Sequence, residues 1–81
     1  MTIRSNRADV RNPVIMLPGF SALRRLDPAT RASIAGALRS IQSDARAKAD
    51  KCWRTHKAPM AVYWKGVSVY AGHIARAILH D

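Results

Sequence analysis

Apolar positions recur with a helical period over most of the chain. Ile34, Leu38, Ile41, Ala45, Ala49 and Cys52 follow one another at steps of 4, 3, 4, 4 and 3. That spacing draws one apolar stripe along a 3.6-residue helix. The stripe's lower half is alanine, which lets a neighbouring helix come close. Asp27-Pro28 supplies the start, with aspartate as N-cap and proline at the first helical position. Asp44 and Lys48, and Asp50 and Arg54, sit at i,i+4 in the favourable acid-first order, expected to add about 0.2–0.5 kcal/mol each. Lys57-Ala58-Pro59 ends this helix, because proline cannot continue the hydrogen-bond ladder and disfavours helical geometry at Ala58. A second stripe follows: Met60, Trp64, Val67, Ala71, Ile74 and Ile78, at steps of 4, 3, 4, 3 and 4, flanked by Tyr63, Tyr70 and Ala77. Val67-Ser68-Val69-Tyr70 also reads as a strand, since valine and tyrosine favour strands, but the six-position stripe outweighs it. The pattern therefore predicts a mainly α protein built on a long antiparallel helical hairpin, over about 28–56 and 59–79. Gly66 and Gly72 each cost about 1 kcal/mol of helix propensity relative to alanine. Both are read as points of close packing, Gly66 alternatively as a kink.

Ahead of the hairpin, Ser21 can cap a short helix over Ala22–Leu26, with Phe20, Leu23 and Leu26 as its apolar contacts. Before it, Asn12-Pro13-Val14-Ile15-Met16-Leu17-Pro18-Gly19 is a short apolar run bracketed by prolines. It is read as an extended segment lying across the helices, or as a strand paired across a dimer, since one strand needs a partner. Residues 1–12, carrying Arg4, Arg7 and Arg11, read as a flexible basic arm, which leaves 13–81 as one small helical domain. The start has no apolar run, so no leader is expected. Lys65, His73 and Arg76 interrupt the apolar stretch from Ala58 to Leu79, whereas a membrane span needs about 20 largely uncharged residues. The expectation is a soluble, intracellular protein.

Composition narrows the function. In 81 residues there are 14 Lys plus Arg against 5 acids, a formal charge of +9, and every acid is Asp. With no Glu, two-carboxylate chemistry and hard-metal cages have little material. A hydrophobic fraction of 48% argues against disorder. A core of this size gives only a few kcal/mol, and the single Cys52 cannot form an internal disulfide. Self-association through a helical face is the available substitute, so a homodimer is expected.

Few constellations carry catalytic chemistry. Cys52 and His56 share a helix face at i,i+4, and His73 and His80 share one at i,i+7. The pairs do not converge in an antiparallel hairpin. His73 lies fourteen residues past Pro59, roughly 21 Å along the helix, whereas zinc ligands crowd within about 2.3 Å of one metal. Gly19-Phe20-Ser21-Ala22-Leu23 lacks the second glycine of a nucleophile elbow. The expectation is a non-enzyme with no cofactor and no metal.

The basic residues are the stronger signal. Arg24, Arg25 and Arg31 cluster around the start of the long helix. Arg39, Arg46, Arg54 and Lys57 recur along it at steps of 7, 8 and 3, with Trp53 beside them and Lys48 and Lys51 broadening the stripe. Lys65 and Arg76 read as isolated. Guanidinium forks suit phosphates and an indole can stack on a base. The plain alternative is a solvated face; the scarcity of acids among these bases argues against it. Trp64 reads as core, while core and stacking stand as alternatives for Trp53. The expected partner-binding set is Arg24, Arg25, Arg31, Arg39, Arg46, Lys51, Trp53, Arg54 and Lys57. Its partner would be nucleic acid or an acidic protein surface, with a membrane surface ranked last.

The segments Asn12–Gly19 and Lys57-Ala58-Pro59-Met60-Ala61-Val62-Tyr63-Trp64-Lys65-Gly66-Val67, with the Ala/Arg-rich helix between them, resemble small prophage proteins of alphaproteobacteria. Stand-alone phage proteins of this size include anti-CRISPR proteins. The resemblance implies a non-enzymatic inhibitor or regulator of host defence, working in the cytoplasm of the bacterial host by docking on a Cas effector. It implies no site residues, because that class shares no motif. A charge of +9 excludes DNA mimicry.

Overall fold

The computed structural model describes residues 12–79. Residues 1–11 of the expected arm, and His80, lie outside them. In chain order the elements are a 3-10 turn (Pro13–Met16), α1 (Phe20–Arg24), α2 (Pro28–Arg54) and α3 (Ala58–Leu79). No strand occurs among the described residues. The two long helices pack against each other as the expected hairpin.

α2 starts as its sequence dictates. Asp27 Oδ2 accepts from the Thr30 N–H at 3.0 Å, and Oδ1 accepts from the Thr30 hydroxyl at 2.6 Å. These bonds hold the Asp27 carboxyl below the ordinary carboxylate value. The end of α2 is a Schellman motif. The Lys57 N–H donates to the Cys52 carbonyl at 2.8 Å and the His56 N–H to that of Trp53 at 3.3 Å. That turn forces His56 into the left-handed region, φ 60°, which usually goes to glycine. α2 therefore stops at Arg54, two residues short of the boundary at 56 that the apolar period suggests.

The Pro-bracketed segment is neither extended nor a strand. Pro13–Met16 coil into a 3-10 turn, with the Leu17 N–H donating to the Val14 carbonyl at 3.2 Å. Proline at its first position presets φ, and four residues without a partner strand satisfy their backbone locally. α1 begins at Phe20, two residues before the boundary expected from Ser21. Gly19 is its N-cap, and the Ser21 hydroxyl donates to the Pro18 carbonyl at 2.9 Å instead of capping. Both pieces close the open end of the hairpin. Val14, Ile15 and Leu23 pack on a buried cluster of Phe20, Ala77 and Ile78. Two side chains tie this end further. Asn12 Nδ2 donates to the His73 carbonyl at 2.8 Å, and Arg31 Nη1 to the Ile78 carbonyl at 3.3 Å, where the last turn of α3 leaves acceptors free.

The seam between α2 and α3 is made of small residues. Ala35, Ala45 and Ala49 meet Ala61, Ser68, Ala71, Gly72 and Ala75, all buried. The Ser68 hydroxyl is satisfied by its own helix, donating to the Lys65 carbonyl at 2.7 Å. Compared with the stripes drawn from sequence, the seam is rotated: Ala35 and Gln42 turn inward, while Ile41 and Met60 each stay 46% exposed. Alanine against alanine and glycine lets the helices close, and the bulky side chains are displaced to the edges of the seam. Ile78 is the only large side chain that is fully buried among the described residues. No helix among them is long and apolar enough to cross a membrane.

Candidate functional site

Because the seam is narrow, the hairpin has a long groove on each side, and the two grooves differ in chemistry. On one side Arg46, Asp50 and Trp53 of α2 face Lys65 and Val69 of α3 across an open cleft of about 330 Å³. Ala49 and Ser68 form its floor; being small, they give it depth. Trp53 is 54% exposed although it is the largest side-chain type in the chain. Neither Arg46 nor Lys65 forms an ion pair among the described residues. Arg39, seven residues before Arg46, and Arg76, seven after Val69, continue the same sides of their helices. The cleft thus presents two cations, one acid, Asp50, and an exposed indole.

The structure brings Arg46 and Trp53 together and leaves other members of the expected set elsewhere. Lys51 and Arg54 are exposed, but one residue is about 100° of helix, so they stand about 160° and 100° round from Trp53. Lys57 sits in the connection between the long helices, and Arg25 follows α1, both exposed. Arg24 lies over the Phe20 ring, 6.0 Å from its centroid. Arg31 is half-buried on the Ile78 carbonyl. Lys48 is on the far side, its Nζ 5.3 Å from the centroid of the Trp64 ring. Trp64, read as core, is only half-buried and also stands perpendicular to the Tyr63 ring, their centroids 5.0 Å apart.

Lys65 and Asp50 are the cleft residues that sequence reasoning passed over. Their proximity depends on the register between α2 and α3. The available signal was Ser68, a polar residue beside an apolar stripe and three positions after Lys65. The second groove is apolar: Leu38 and Ile41 of α2 face Tyr63, Gly66, Val67 and Tyr70 of α3, around about 480 Å³.

Cys52 is half-buried with a free thiol. No group of three or more His, Cys, Asp or Glu among the described residues is placed to hold a metal ion. Comparison with known proteins finds no matching family model, no matching curated protein and no matching solved structure.

Proposed function

We propose that the protein acts by binding rather than by catalysis, and that the Arg46–Trp53–Lys65 cleft receives an anionic partner. The supporting observation is the convergence of two cations, unpaired among the described residues, and an exposed indole, from two helices, over a floor of small residues. Such a cleft can neutralise phosphates with a guanidinium fork and an ammonium while the indole stacks on a base. Taken with the resemblance to prophage proteins, the reading is a phage-encoded, anti-CRISPR-type inhibitor. It would dock on a nucleic-acid-containing Cas complex, or on its acidic protein surface, in the bacterial cytoplasm. It would work as a homodimer. The exposure of Trp53 favours a second reading, direct binding of free DNA or RNA.

The test pairs two measurements: capture of Cas effectors by the full-length protein, and its affinity for single- and double-stranded DNA and RNA at rising salt. Capture that Arg46→Ala with Lys65→Ala abolishes supports the inhibitor. Binding of free nucleic acid that weakens steeply with salt supports the second reading. Neither binding at 50 mM salt would sink both.

A further inference from the structure

The basic cleft accounts for one side of the hairpin; on the other side the apolar groove is open among the described residues. We infer that the apolar groove is the seat of a second copy of this chain, with α3 crossing its symmetry mate antiparallel near Gly66. This rests on the reading that the protein self-associates and says where and how.

Four observations carry it. First, an αα-hairpin is one layer of helices, 17 Å in its thinnest direction, whereas a stable core needs two packed layers. Its own seam is alanine, and the bulky residues were left outside. Val62 is 62% exposed, Tyr63 58%, Tyr70 66% and Ile41 46%. With aromatic side chains of roughly 200 Å² each, the two tyrosines alone show about 250 Å². With Val62 and Ile41 the exposed area is about 400 Å², the size of an apolar patch that marks an interaction site and about half of the ~800 Å² per partner of a standard interface.

Second, the groove suits this chain better than a charged partner. In a molecule of net charge +9, none of the groove's lining residues is Lys, Arg, Asp or Glu. Two copies can meet there without burying like charges, keeping both basic clefts outward.

Third, the face is self-complementary. A two-fold contact requires residue i to meet j and j to meet i. Along α3 the order Tyr63-x-x-Gly66-Val67-x-x-Tyr70 places the two tyrosines symmetrically about the Gly66–Val67 bond, so that in an antiparallel pair Gly66 of each copy faces Val67 of the other. An antiparallel crossing centred between Gly66 and Val67 sets Tyr63 of one copy against Tyr70 of the other.

Fourth, no contact among the described residues requires a glycine at Gly66. A Cβ there would meet only Tyr70 Cε2, at 3.9 Å, an ordinary contact. Gly72, by contrast, is crowded by Gln42 of the same chain. A glycine in mid-helix between two exposed tyrosines is the place where a second helix can come close.

Sedimentation of the full chain tests this, with Tyr70→Asp and Ile41→Asp in the groove and Lys65→Glu in the basic cleft as control. The wild type and Lys65→Glu should be dimers. The groove variants should weaken dimerisation at least 100-fold with helical circular dichroism retained. Cross-linking needs no destabilising change: Val67→Cys in a Cys52→Ala background should oxidise to a disulfide dimer, and Lys51→Cys in the same background should not. A wild type that stays monomeric at 100 μM removes the dimer and this inference together. A dimer that ignores Tyr70→Asp and leaves Val67→Cys unlinked keeps the dimer and overturns the inference alone. A monomer that binds anionic lipid vesicles, and loses them with Tyr70→Asp, would give the groove to a membrane surface instead.

Discussion

Gly72 of α3 lies directly beneath the side-chain amide of Gln42 of α2: a Cβ on Gly72 would stand 3.0 Å from Gln42 Cδ and nearer still to Nε2. Mid-helix glycine is otherwise a cost. Gly72→Ala should therefore stabilise by about 1 kcal/mol in a Gln42→Ala background, where helix propensity acts alone, and by nothing in the wild type. Urea unfolding of the four proteins measures the coupling, and strict additivity would show that Gln42 moves aside freely.

His56 occupies the left-handed position of the Schellman motif with φ 60°. His56→Gly relieves that backbone without touching the two capping bonds, so stability should rise by about 1 kcal/mol. A melting temperature higher by roughly 4–8 °C is the expected readout.

Arg31 belongs structurally to the end of α3, through its bond to the Ile78 carbonyl. Arg31→Ala should cost about 1–3 kcal/mol of stability. Affinity for a polyanion should be unchanged at temperatures where the variant is folded. A selective loss of affinity would return Arg31 to the binding set.

In the basic cleft, Arg46→Ala with Lys65→Ala should lower the slope of log K against log salt by about 1.4 for single-stranded nucleic acid, or about 1.8 for duplex. Lys51→Ala, on a different face of α2, should lower it less than either cleft variant. Equal effects from Lys51 and Lys65 would mean that net charge, not the cleft, governs binding.

The Asp27 carboxylate is favoured in the folded state by the hydroxyl and the N–H of Thr30. A carboxyl lowered on folding gives stability that is present above its unfolded value, near 4, and lost as the pH falls through the lower folded value. The wild type should thus lose melting temperature between about pH 5 and pH 3 more steeply than Asp27→Asn, whose amide can still cap α2 but does not titrate. Parallel pH profiles for the two proteins would exclude this cap as a source of acid sensitivity.

By itself the sequence determined the helices. A 3.6-residue period broken at Pro59, and a start marked by Asp27-Pro28, are local instructions that no packing partner is needed to read. It also determined the charge, and with it the kind of partner a basic face would take. Only the tertiary structure decided which faces meet. Hydrophobicity ranks Ile41, Met60 and Val67 above alanine, so a stripe drawn by hydropathy centres on them. Helices close most tightly over small side chains, so Ala45, Ala49 and Ala71 of the expected stripes stayed in the seam and were joined there by Ala35, Ala61, Gly72 and Ala75. That rotation joined Arg46 and Trp53 to Lys65 and turned Arg31 onto the end of α3. It also left Tyr63 and Tyr70 mostly exposed on an outer face, touching only Trp64 and His73 of their own helix in the ring contacts among the described residues. Sequence spacing fixes angles around one helix; the register between two helices depends on contacts far apart in the chain, and the clefts exist only in that register.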